Sequence, residues 1–562
     1  MIRSIILLLF CLNVNANEKT VDKIKLFTLE EATIGSIHDG ILNKQINCAT
    51  LVELYLTRIK KYDLNTANGA PLNAITYINL NAQQAARAAD TFLEKNKKLI
   101  GNLHCIPIII KDNINAYDMP ASSGSLSMLG SQPIKDSFIT EKLRNAGAII
   151  LASANMDEFA SGLGGVSSRS GRTGNAYDTN RNSGGSSAGS AVAVSANFGL
   201  ASIGSDNSGS LRIPAAYNGL YTLRPSTGLI SQNGIFPRGN LDGVAGPMTR
   251  TVKDLAILLD VIAQPDPEDP KTQNIPRPIS YTAFLNKEGL QGKRIGILRE
   301  VANVNQFRGA DKNTLELYNH AFKIMEQAGA VIIDNIKLSK FNNDRAHNMA
   351  GEVEDINRYL SVFPSTRKNY QDICTSGRTT IFGGAQGCLA HLKNNPSKSS
   401  SAYNNVLKIF ADNKDYVEKI MDEYNLDALV VPVDAAGIAQ EGIHAEGINC
   451  LVASNSGLPS IGIIAGYVQT PQPLPVGLEL VGRQFAEPIL LEMAYAFEQH
   501  TPARIPPQLK MPKKSSLENF NLAEINNIHT VIGNDTYEKI LKNNKASSLT
   551  PNVFQKIVED NL

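Results

Sequence analysis

The 562-residue sequence predicts an α/β protein built on one large twisted, mixed sheet covered by helices on both faces. Three observations carry this expectation. Short continuous apolar runs, such as Ile106–Ile110 (IPIII), read as strands buried on both sides. Two segments, Glu141–Leu151 (EKLRNAGAIIL) and Ile324–Ile333 (IMEQAGAVII), share one grammar of helix, Ala-Gly stop and β-branched strand. Such alternation continues over roughly 480 residues, which argues for a single sheet rather than separate helical and strand domains.

Taken in order, the chain opens with Arg3, the apolar run Ile5–Leu12 and the small-residue site Val14-Asn15-Ala16. That is the pattern of a signal peptide, residues 1–16, and predicts a periplasmic or secreted protein. Eight apolar residues are too few to span a bilayer, and no other run is long enough, so no stable membrane insertion is expected after its removal. Thr50-x-x-Glu53 reads as a capping box before Leu51, Leu54, Tyr55 and Ile59, which mark one helix face. A second helix is expected around Ala82–Glu94. Further strands are expected at Lys293–Leu298, Ala428–Pro432, Ser460–Ala465 and Val476–Val481, and helices at Thr251–Ile262 and Pro488–Glu498. The proline-rich Pro265–Ser280 is a surface connection. Asn343–Asp412 has weak periodicity and reads either as a lid facing substrate or as loop. The main domain is expected over residues 17–507, and the polar, Lys/Asn-rich residues 508–562 as an appended helical tail.

Composition excludes some functions. The net charge is +1, from 54 basic and 53 acidic residues, so nothing argues for binding nucleic acid or an anionic membrane. Loss of the signal peptide leaves Cys48, Cys105, Cys374, Cys388 and Cys450, with no metal-site spacing. Cys374 and Cys388 are placed for a local disulfide or are two buried thiols.

The chemistry is expected in Arg181–Ala215, where two Gly/Ser clusters flank the helix Ala188–Asn197 and the strand Leu200–Ile203. Glycine lets a main chain approach a ligand, and successive N–H groups in such loops stabilise anions. Gly184–Ser190 lacks the lysine of a phosphate loop. Gly185–Gly189 (GSSAG) fits a nucleophile elbow at Ser187, but the preceding YDTNRN is no buried strand. A serine in the second loop, Ser210, lies among its own N–H donors and needs a base from elsewhere. Lys111, at the end of the run Ile106–Ile110, stands where α/β enzymes place reactive groups.

Gly184–Ser190 (GGSSAGS), Gly204–Pro214 (GSDNSGSLRIP), Leu223–Gly228 (LRPSTG) and Gly246–Asp254 (GPMTRTVKD) together resemble the amidase signature family. Ile110–Asn113 (IKDN), Asn155–Ala160 (NMDEFA) and Pro475–Glu487 (PVGLELVGRQFAE) are similar to its other blocks, over roughly Leu51–Pro506. Lys111–Gly130 looks most like bacterial peptide amidases, and Asn155–Ala160 also resembles the A subunit of tRNA amidotransferases. The resemblance implies the amidase-signature fold and a Ser-Ser-Lys arrangement: Ser210 as nucleophile, Ser186 as bridging serine and Lys111 as base. The backbone N–H groups of Asn207, Ser208, Gly209 and Ser210 are then the oxyanion donors. Ser187, Asp206 and Arg212 are supports of the loop, and no metal or organic cofactor is called for. The substrate is expected to be a small-molecule or peptide amide, the alternatives being the glutaminase subunit of a tRNA amidotransferase or an inactive interaction protein on the same fold. Two departures stand out: Ser208 replaces a frequent glycine before the nucleophile, and Thr222 replaces another in LYTLRP. All eight histidines lie outside the blocks and read as ordinary surface or core residues.

Overall fold

A computed structural model describes residues 27–510 except 65–69, 240, 242 and 444–447. The expected signal peptide and, beyond residue 510, the expected helical tail lie outside the described residues; 508–510 carry no helix or strand. The strands are β1 (Ile75–Ile78), β2 (Pro107–Lys111), β3 (Ile149–Ala154), β4 (Val166–Ser167), β5 (Gly171–Arg172), β6 (Ala201–Asp206) and β7 (Tyr221–Arg224). They continue as β8 (Val244–Thr249), β9 (Arg294–Val301), β10 (Val304–Asn305), β11 (Val331–Leu338), β12 (Ala428–Pro432), β13 (Ser460–Val468) and β14 (Leu474–Val481). All but the β4–β5 hairpin form one 12-stranded sheet, ordered β1-β3-β2-β6-β8-β7-β13-β14-β12-β9-β10 with β11 also on β9.

The sheet is mixed. β2 runs parallel to β3 and β6, and β9 runs parallel to β11 and β12. The remaining pairs are antiparallel, including the central β7–β13, where Ser460, Ile461 and Gly462 face Arg224, Leu223 and Thr222. Every position of β2, β3, β6, β12 and β14 is buried. Because alternate side chains point to opposite faces, such strands are covered on both sides; the apolar runs of β2 and β12 predict this, whereas β6 and β14 bury Asp206 and Glu479 among their apolar residues.

The helices are α1 (Ile34–Leu42), α2 (Cys48–Tyr62), α3 (Ala82–Asn96), α4 (Phe138–Asn145), α5 (Ala188–Ser195), α6 (Arg212–Tyr217) and α7 (Val252–Ile262). After them come α8 (Lys312–Gln327), α9 (Glu352–Val362), α10 (Tyr370–Thr375), α11 (Ala385–Asn394), α12 (Ser401–Glu423), α13 (Leu451–Ser454) and α14 (Glu487–His500). The helix α5, built only of Ala, Gly, Ser and Val, is buried at every position and packs on β2, β3, β6 and β8. Small side chains are what permit that approach: a Cβ on Gly189 would lie 2.3 Å from the Ala74 carbonyl oxygen.

Two expectations change, both on α2. Thr50 does not cap α2; the helix begins two residues earlier, and the Asn47 side chain accepts from the Thr50 N–H at 2.8 Å. Leu54 turns outward, while Leu51, Tyr55 and Ile59 form the buried face. Asn343–Asp412 is helical, holding α9, α10, α11 and the first half of α12. The Cys374–Cys388 disulfide joins α10 to α11, and a second, unforeseen bridge joins Cys48 at the head of α2 to Cys105 just before β2. Cys450 is free and buried.

Candidate active site

Lys111 is the last residue of β2, and its side chain has no exposed surface. The five-residue strand PIIIK is wholly buried, so its terminal amine ends inside the protein rather than reaching water. Nζ lies 2.7 Å from Ser186 Oγ, 2.9 Å from Ser205 Oγ and 3.4 Å from the Ser205 carbonyl. A neutral amine can keep all three partners by donating to two and accepting from one hydroxyl. Burial pulls the Lys111 pKa down to about 7, against the opposing pull of Asp157 and Asp206. Ser205, from β6, escaped the sequence reading. Its hydroxyl also accepts from Asn113 Nδ2 at 3.2 Å, fixing it beside the amine.

Ser186 stands in the first Gly/Ser loop, after a cis Gly185–Ser186 peptide bond, and is fully buried. Its place is set by Asp157, in the NMDEFA block. The Asp157 N–H donates to the Ser186 carbonyl at 3.2 Å. Its carboxylate accepts from the N–H groups of Gly164, Gly165 and Val166 at 3.3, 3.0 and 3.1 Å. Only glycine fits at 185, where a Cβ would lie 2.0 Å from Asp157 Oδ2. Burial pushes the Asp157 carboxyl up to about 6 despite these donors. Ser187 Oγ donates to the Ser205 carbonyl at 3.1 Å and accepts from the Ser205 N–H at 3.2 Å, clamping the loop to β6.

The second loop runs from β6 to α6. Asp206 is its anchor: its carboxylate accepts from the N–H groups of Gly209 and Leu211, both at 2.9 Å. Arg212 and Arg224 pair with Asp206 at 3.0 and 3.3 Å, and Arg212 also reaches Glu479 on β14 at 2.8 Å. All four side chains have no exposed surface. Burial alone would raise the Asp206 carboxyl; the two guanidinium groups outweigh it and hold the group well below the usual carboxylate range.

This anchoring revises one expectation. Among the four N–H groups assigned to the oxyanion, that of Gly209 is already engaged by Asp206. Asn207, Ser208 and Ser210 line the cavity and Gly209 does not. Ser210 is 5% exposed, and the Ser187 N–H donates to its carbonyl at 3.2 Å, so the two loops meet here. The contact is between backbones, and no hydrogen bond joins the hydroxyls of Ser186 and Ser210 among the described residues.

Ser210 opens onto a cavity of about 350 Å³. One wall is the 160–164 segment tied down by Asp157, and the other comes from the insertion, as Arg345, Met349 and Phe382. Arg238 joins the walls: it pairs with Glu352 at 2.5 Å, donates to Ser161 Oγ at 2.9 Å and stacks 5.4 Å from the Phe382 ring. Glu352 is also bound by His391 at 2.8 Å, so one histidine does buttress the site. Ser208 directs its hydroxyl to Arg345, whose Nε donates at 3.3 Å. Thr222 is remote from the cavity and donates to the Pro247 carbonyl at 2.9 Å between β7 and β8. Among the described residues the grouping with metal-ligand spacing is Cys48, His104 and Cys105, whose two sulfurs are already joined to each other.

Residues 50–491 match the Amidase family. The native peptide amidase of Stenotrophomonas maltophilia shares the fold with a TM-score of 0.78 and 32% identity, covering 86% of this chain and 100% of that one. A probable amidase of Arabidopsis thaliana is 30% identical over 86% of this chain and 92% of its own length. The A subunit of the glutamyl-tRNA(Gln) amidotransferase of Ligilactobacillus salivarius is 31% identical over 83% of this chain and 96% of its own length. A chain that matches the family over most of its length, and shares its fold with a peptide amidase, belongs to the Amidase family and is an amide-hydrolysing enzyme.

Proposed function

We propose that the protein is an exported amidase that cleaves a small-molecule or peptide amide through Ser210, Ser186 and Lys111. The observation that carries this reading is the wholly buried Lys111 amine, 2.7 Å from Ser186 Oγ and poised near neutrality. A lysine is a general base only when it is neutral at working pH, and burial supplies that condition. Lys111 takes the proton of Ser186 Oγ, which takes that of Ser210 Oγ as the latter attacks the amide carbonyl carbon. Rotation of Ser210 about χ1 completes this contact, since such hydrogen bonds commonly tighten only with substrate bound. The tetrahedral oxyanion is met by the N–H groups of Ser208 and Ser210, with Asn207 beside them. The proton returns through Ser186 to the leaving nitrogen as the C–N bond breaks. Water then attacks the acyl-Ser210 ester over the same relay, releasing the carboxylic acid and the free serine.

The likeness to a peptide amidase supports a peptide or small amide as substrate. The likeness to one chain of a tRNA amidotransferase supports a second reading, release of ammonia from glutamine for a partner chain. Replacing Ser210 with Ala tests the mechanism: turnover is expected to fall by several orders of magnitude while the far-UV spectrum stays unchanged. A serine-directed covalent inhibitor should add one mass equivalent to the wild type and none to the variant. Retained turnover in Ser210→Ala would sink the assignment. Ammonia release from glutamine alone, exceeding that from peptide amides, would favour the second reading.

A further inference from the structure

The walls of the cavity are unequal in charge. The described lining contains two guanidinium groups, Arg238 and Arg345, and no carboxylate. Arg238 is answered by Glu352 behind the wall. Arg345 forms no ion pair among the described residues; its Nε rests on Ser208 Oγ at 3.3 Å, two residues before Ser210. Its remaining donors belong to a planar fork that matches a carboxylate with two parallel hydrogen bonds. A cleft lined by one sign of charge favours a ligand of the other sign. The rest of the lining is apolar or uncharged, with Leu163, Met349, Phe382 and Ile443 suited to a short carbon chain.

We propose that the enzyme selects amides whose acyl portion carries a carboxylate, and that Arg345 is the specificity-determining residue that receives it. This rests on Ser210 being the nucleophile, because Arg345 and Ser210 are then two ends of one substrate site. The carboxylate has two sources, the monoamide of a short dicarboxylic acid or a peptide amide ending in an acidic residue. A zwitterionic amino acid is disfavoured, since its ammonium finds no acid in the described lining.

The test uses matched substrate pairs: glutaramate against valeramide, and N-acetylglutamyl α-amide against N-acetylmethionyl amide. Wild type is expected to favour the anionic member by about tenfold or more in kcat/KM, a preference that shrinks as salt rises. The pair showing the larger preference identifies the source. In Arg345→Gln the ratio should fall towards one, with the loss mainly in KM, and Arg345→Lys should restore part of it. Calorimetry needs no turnover: glutaramate should bind Ser210→Ala about tenfold more tightly than it binds the Ser210→Ala/Arg345→Gln double variant. No preference in the wild type, equal binding to the two proteins, or an Arg345→Gln that loses both substrates in proportion would overturn the proposal. The last would mean that Arg345 only holds Ser208. Should Ser210→Ala keep turnover, the nucleophile reading fails; should it be inactive while the wild type shows no preference, that reading stands and this one falls.

Discussion

At the scale of single residues, Lys111 concentrates the conflict between folding and chemistry. Its amine is held near neutrality by burial, so it is protonated below about pH 7 and able to accept a proton above it. The rate limb should therefore rise with pH through about 7, and Lys111→Met should lose about 10²–10⁴-fold and the limb with it. An unchanged profile in the variant would identify another base. Stability follows pH with the same sign, over a window that begins where the rate limb ends. Between its native value of about 7 and that of a free lysine, the unfolded chain binds a proton the folded one refuses, so stability rises with pH across that window. Lys111→Met should remove this slope and raise the unfolding midpoint at pH 7, which calorimetric scans at pH 7 and 9 would show. Asp206 acts in the same direction but in the acid range. Its lowered carboxyl contributes stability that is present above the unfolded value and lost as pH falls below it. Asp206→Asn removes the carboxylate that Arg212 and Arg224 share in the interior, leaving their buried charge less balanced, and should cost about 3–5 kcal/mol in denaturant unfolding, with loss of activity as the 207–211 loop loosens. A stability within error of wild type would show that the two guanidinium groups find other partners.

At the scale of elements, what the sequence discloses depends on how far each contact reaches. β2 and β12 are legible because strands buried on both faces must be apolar throughout, and Lys111 is legible as the charged residue ending one of them. β7 and β8 are hidden, since YTLR ends in an arginine and VAGPMT carries a glycine and a proline, residues that argue against a central strand. In the site, Ser186 and Ser210 are marked by their glycine loops. The work of Asp157 is not, because the donors it gathers are N–H groups in a featureless loop, and Arg345 meets Ser208 only after a separation of 137 residues. The insertion that brings Arg345, Met349 and Phe382 is braced by Cys374–Cys388. Closing a loop of this length stabilises by about 3 kcal/mol in the chain-entropy view. Replacing both cysteines with Ser should therefore raise KM more than it lowers kcat, and open 343–412 to protease first. A fall in kcat at constant KM would mean the insertion acts on the chemistry itself.

At the scale of the whole molecule, the signal-peptide pattern is proposed to send the chain out of the cytoplasm, where both disulfides persist. The mature protein recovered from a periplasmic fraction should begin at Asn17 and carry no thiol reactive in the native state, Cys450 being buried. An uncleaved protein confined to the cytoplasm would overturn the assignment. The order of the sheet has a further consequence. All sheet strands from β1 to β8 lie on one side of the β7–β13 pairing, and β9 to β14 lie on the other. Lys111, Ser186 and Ser210 thus belong wholly to the half that leaves the ribosome first. Until β13 arrives, that half presents an open strand edge at β7, prone to pair with other chains. It also holds Arg212 without Glu479, its partner on β14. The half that carries every group of the relay therefore lacks one ionic tether of its own catalytic loop until β14 joins the sheet.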